Sequence, residues 1–135
     1  ARRLIEIPAA WQPATKLRDP QDYVVAALRA LDAGVPPPVD LPAALAELGQ
    51  PLWNPPLPNG WPDMAESWAG PDAMMRRIDW AFLLSGRVPD RDAAELAEAA
   101  LGPLLRPATR DALHGAGSRR EALTLLLTAP EFQRR

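Results

Sequence analysis

The chain has 135 residues, enough for one domain with one core, and its 47% hydrophobic and 24% charged residues are the values of a folded chain. A net charge of −2 gives no electrostatic footprint for nucleic acid or an anionic membrane surface, and no apolar run approaches the roughly 20 residues that span a bilayer. With no cysteine and one histidine there is no thiolate site and no histidine cluster, so neither a metal nor a cofactor is expected.

Residues 1–15 open on Arg2 and Arg3 without an initiator Met and read as an N-terminal extension, the end of a preceding region of a longer or processed chain. Residues 16–135 read as a single helical module. Lys16 is the only lysine among 15 basic residues, which fits a coding bias toward arginine, and with Arg29 it reads as a salt-bridge partner rather than an anion site. The first helix is expected over Pro20 to Asp32. Asp19 precedes it as a cap, Pro20 suits the first helical position, and Val24, Ala27, Leu28 and Leu31 recur on one face before Gly34. A shorter helix is expected from Leu41 to Leu48, opened by Asp40 and closed by Gly49.

Residues Gln50 to Asp63 read QPLWNPPLPNGWPD, where five prolines remove backbone donors and fix φ, and Asn59-Gly60 is a turn pair. An irregular but stiff loop follows from that composition, held to the body by Trp53 and Trp61. The helix after Trp68 is expected from about Pro71 to Leu84, capped by Asp72. Met74, Ile78, Ala81 and Phe82 form its inner face, Met75 and Trp80 widen it, and Gly86 ends it. Asp92 with Glu95, and Ser118 with Glu121, have capping-box spacing. The first pair opens a helix with Leu96, Ala100 and Leu101 inward, the second a helix with Leu123, Leu126 and Leu127. Between them Pro107 to His114 forms a short helix stopped by Gly115, and Pro130 to Gln133 forms a last turn. The whole is an all-α fold of about six helices in a compact orthogonal array, with a central Pro/Trp-rich loop.

Chemistry is sparse. Trp53, Asn54, Asn59, Gly60, Trp61 and Trp68 form the one candidate binding set, because aromatic faces beside amides hold sugar rings and proline-rich peptides, although such tryptophans more often pin a loop to its core. Asp63, Glu66, Asp72 and Asp79 surround the loop, but no spacing forces two of them to converge as a hydrolytic pair. Asp79 suits an ion pair with Arg76 or Arg77. His114, in the last turn of a helix, reads as a solvated helix-end residue. No catalytic residue is assigned.

Several of these segments together carry a resemblance. Lys16-Leu17-Arg18-Asp19-Pro20, Arg29-Ala30-Leu31, Gly49 to Leu52 with Asn59 to Pro62, Trp68, Arg77 with Trp80, and the closing Ala129 to Gln133 resemble the C-terminal part of the bacterial domain-of-unknown-function 1800 family, from about Trp11 onward. The block from Gly-Gln-Pro-Leu to Asn-Gly-Trp-Pro is its specific part. At Asp79 the chain departs from the Asn of many members, so a role tied to that amide does not carry over. The resemblance implies a longer bacterial protein, commonly exported, with a large helical region before this module and a periplasmic or secreted location. It supplies no activity. The expectation is a non-catalytic module that docks onto that preceding region or a protein partner. The alternative is a part of a polysaccharide-acting protein whose Trp loop contacts glycan.

Overall fold

A computed structural model describes residues 6–8, 15–34 and 38–135, so most of the expected extension 1–15 lies outside the described residues. Within them the chain forms six α-helices and no strand. The first, α1 (Pro20–Ala30), starts as its sequence dictates. Pro20 has no amide to satisfy, Asp19 Oδ1 accepts from Asp22 N at 2.9 Å, and Gln50 Oε1 accepts from Gln21 N at 2.8 Å. Its end comes earlier than Gly34. Asp32 adopts φ 47°, and the amides of Asp32 and Ala33 return to the carbonyls of Arg29 and Leu28. A short polar side chain tolerates the left-handed conformation that this closure requires.

Helix α2 (Leu41–Glu47) is capped by Asp40, whose Oδ1 accepts from Ala43 N at 3.2 Å. Gly49, at φ +91°, closes it in the same way, with Gln50 N bonded to the Leu45 carbonyl at 2.8 Å. Helix α3 (Pro71–Ser85) begins at Gly70, and Asp72 lies in its first turn without capping it, contrary to expectation. Helix α4 (Ala93–Leu101) is capped by Asp92 Oδ1 on Glu95 N at 2.9 Å, and a 3-10 turn at Gly102–Leu104 leads to α5 (Pro107–His114). Helix α6 (Arg119–Thr128) is capped by Ser118 Oγ on Glu121 N at 3.2 Å, while Glu121 reaches back to Gly117 N.

One apolar core joins all six helices, with Tyr23, Leu31, Leu84, Leu123, Leu126 and Leu127 fully buried. The most extensive helix contact is α3 against α6. Two inner faces differ from expectation. On α4 the buried residues are Ala93, Ala97 and Leu101, while Ala100 is exposed. On α3 the buried set is Arg77, Trp80, Ala81, Leu84 and Ser85, whereas Met75, Ile78 and Phe82 face outward. Apolar residues surround much of α3, so helical spacing alone does not choose a face. The choice falls to Arg77, whose hydrogen-bond partners lie inside.

The described body also joins its ends. Lys16 N donates to the Arg135 carbonyl at 3.1 Å, Arg135 N to the Lys16 carbonyl at 2.8 Å, and Arg18 N to the Gln133 carbonyl at 2.9 Å. The two segments run antiparallel through an isolated bridge between Leu17 and Arg134.

Candidate functional site

The loop after α2 is anchored at three points. Gln50 is buried against the start of α1, as above. Trp68 is buried and donates its indole N–H to the Pro62 carbonyl at 3.0 Å, and Trp61 lies against it, half-buried, with ring centroids 6.2 Å apart. Asp63 receives the Lys16 ammonium at 2.6 Å on the surface, and that hydrogen bond and charge hold its carboxyl below the usual range. Between these anchors Leu57 to Gly60 closes a turn, with Gly60 N bonded to the Leu57 carbonyl at 3.0 Å and Gly60 at φ +99°.

The six candidate residues therefore divide. Trp61 and Trp68 are brought together as a structural pair with Gly60 beside them, while Asn54 and Asn59 are exposed. Trp53 is 95% exposed and sits at φ 61°. It does not pin the loop; Trp68 does. A proline-stiffened segment here holds an indole in solvent on a left-handed backbone, a conformation that costs a bulky residue energy.

The core holds a buried polar clasp that sequence reasoning missed. Arg77, 2% exposed, donates to Gln133 Oε1 at 2.6 Å and to the Arg18 carbonyl at 2.7 Å, and its guanidinium lies 5.0 Å from the Tyr23 ring centre. Gln133 Nε2 donates onward to the Leu127 carbonyl at 2.7 Å, and Arg18 Nε to the Phe132 carbonyl at 2.9 Å. Tyr23 meets Trp80 and Phe132 edge-on. Burial lowers the affinity of Arg77 for its proton, against the opposing pull of Tyr23 and Asp19, and burial raises that of the Tyr23 hydroxyl. The guanidinium stays charged, its desolvation offset by carbonyl acceptors and an aromatic face. The one signal for this cluster was that Tyr23 is the only tyrosine and that Arg77 and Gln133 fall in the resembling segments.

Glu131, 4% exposed, adds a second polar contact from the same terminal turn. Helix α5 has no side-chain cap of its own, and Glu131 Oε1 accepts from Arg106 N at 3.1 Å at its start. Burial pushes the Glu131 carboxyl up. The Thr109 hydroxyl, backbone amides and the Arg106 guanidinium outweigh this, and the net effect holds the carboxyl below its ordinary range. A buried carboxylate at a helix N-terminus is well placed electrostatically.

The other candidates do not assemble a site. Asp63 is tied to Lys16, and Asp72 and Asp79 lie on the outer side of α3, where Asp79 pairs with neither Arg76 nor Arg77. Arg29 likewise has no ion pair among the described residues. His114 is exposed beside an open groove of about 560 Å³ lined by Asp90, Asp92, Ser118 and Arg119. Among the described residues no group of three His, Cys, Asp or Glu side chains could hold a metal, and no helix is long and apolar enough to cross a membrane.

The architecture is an all-α body whose terminal segments are clasped around a buried arginine, carrying a stiff tryptophan loop on its surface. The family model described as a protein of unknown function (DUF1800) matches residues 1–134, and the chain belongs to that family. No curated protein and no solved structure matches it. Arg18, Arg77, Trp80 and Gln133, which carry the resemblance from distant segments, all lie in or against the clasp.

Proposed function

We propose that this chain is a non-catalytic docking module of a longer exported bacterial protein, periplasmic or secreted, and that the loop bearing Trp53 is its contact with the preceding helical region or with a protein partner. The observation that supports this reading is Trp53 itself. Burying an indole on association contributes more than almost any other side chain, which is why tryptophan anchors interfaces. The proline-rich loop lowers the ordering cost of presenting it. The buried polar groups, by contrast, are engaged in holding the fold.

A second reading keeps the same residue. The exposed Asn54 and Asn59 amides share one loop with the open Trp53 indole, a composition that suits a sugar ring, so the loop would be a glycan contact. A photo-crosslinking amino acid in place of Trp53, in the full-length protein inside its host, separates the two. Adducts to a protein segment support docking. Absence of protein adducts, with glycan binding that Trp53→Ala abolishes at unchanged stability, overturns it in favour of the glycan contact. Fractionation of the tagged protein tests the compartment, and a cytoplasmic pool alone would contradict export.

A further inference from the structure

The outward face of α3 carries a seam that the core does not use. Met75, Ile78 and Phe82 are 56%, 40% and 46% exposed, and their spacing of three then four residues is that of an a/d stripe. Pro71 continues it one turn earlier. Ile78 and Met74 also line a groove of about 150 Å³ against Thr128 of α6, so the seam has a recessed floor. At its far end Arg120 stacks 3.5 Å over the Phe82 ring and bonds the Phe82 carbonyl at 2.8 Å.

Asp72 and Asp79, seven residues apart and both exposed, lie along one flank of this seam, and neither has an ion-pair partner among the described residues. That rail decides the occupant. A second copy packed antiparallel would set the acidic flank of one helix against the acidic flank of the other. A parallel copy would set it against the Met74 side of α3, where Ala81 is fully buried. Antiparallel pairing leaves the carboxylates uncompensated, and like charges across an interface suppress pairing.

From this juxtaposition we infer that the α3 seam of Met75, Ile78 and Phe82 docks an amphipathic helix of a different sequence, one whose apolar stripe is flanked by Lys or Arg facing Asp72 and Asp79. The inference rests on the docking reading above and gives the chemistry of the partner, at a face of its own. Apolar burial along the seam supplies affinity, and the exposed charge pairs supply partner choice and orientation.

The test uses the whole chain and two synthetic helical peptides about three heptads long, identical in their Leu/Ile seam and flanked by Lys in one and Glu in the other. Fluorescence anisotropy should show the Lys-flanked peptide binding about tenfold more tightly than the Glu-flanked one, the size expected of two exposed charge contacts turned from attraction to repulsion. D72K/D79K should invert that preference. Replacing the exposed pair, I78S/F82S, should abolish binding while leaving the circular dichroism spectrum unchanged, and Trp53→Ala should leave it intact. Equal affinity for both peptides, or binding that survives I78S/F82S, overturns the inference. Loss of binding in Trp53→Ala alone would overturn it too, while retaining docking at the loop. Concentration-dependent dimerisation of the free chain that I78S/F82S removes would make a second copy the occupant, and would equally overturn it.

Discussion

At Arg77 a full charge is taken out of water with no carboxylate in direct contact. Its stability depends on two aligned oxygens and an aromatic face, so shape matters as much as charge. Arg77→Ala should destabilise the fold by about 3–5 kcal/mol, because it deletes two charge-assisted hydrogen bonds and strands Gln133 Oε1 and the Arg18 carbonyl in the interior. Arg77→Lys should still cost about 2 kcal/mol, since one ammonium cannot reproduce the planar fork. Urea denaturation of both variants measures this, and a lysine variant as stable as the parent would show that geometry is irrelevant there. An arginine on a helix rich in apolar residues gives no sign, in sequence, of pointing inward. What selects its direction is Gln133, fifty-six positions away. Expectation accordingly placed Met75, Ile78 and Phe82 inside α3 and left Arg77 out.

Helix starts and stops were legible where a local side chain satisfies a local amide. Asp19, Asp40, Asp92 and Ser118 all cap as their spacing implies. Helix α5 was legible from Pro107, but the group satisfying its first turn, Glu131, comes from another element and left no local trace. The loop shows the same division. Its stiffness followed from its prolines, whereas its anchor did not, because Trp53, Trp61 and Trp68 are chemically alike and only packing distinguishes them. Trp68→Ala should therefore cost about 3–5 kcal/mol, Trp61→Ala clearly less, and Trp53→Ala no more than about 0.5 kcal/mol. The left-handed backbone at residue 53 gives a further check by thermal melting. Trp53→Gly should be more stable than Trp53→Val by at least about 1 kcal/mol, since glycine accepts positive φ and a β-branched residue resists it. Equal midpoints would mean that the loop relaxes out of that conformation.

Over the whole molecule, stability should respond to acid through Glu131. Its folded-state carboxyl is held below the unfolded value, so its contribution is fully present above the ordinary carboxylate range. That contribution is lost as pH falls through the folded value. The melting temperature should thus drop on acidification below about pH 5. Glu131→Gln should start lower at neutral pH and show a shallower drop, and parallel pH profiles would exclude this carboxylate as a source. Removing residues 132–135 takes away Phe132, Gln133 and the pairing with residues 16–18 together. The shortened chain should lose its cooperative melt in near-ultraviolet circular dichroism, and retention of a sharp transition would show that the clasp is dispensable.

The pairing of residues 16–18 with 133–135 also fixes how the module answers to force. These segments lie side by side, so a pull applied at Lys16 and Arg135 loads the bonds between them first and the Arg18–Gln133 bond only afterwards. The bonds fail one after another rather than sharing the load. Small tension would therefore peel the body open from its terminal segments, and the first interior group brought to water would be the guanidinium of Arg77.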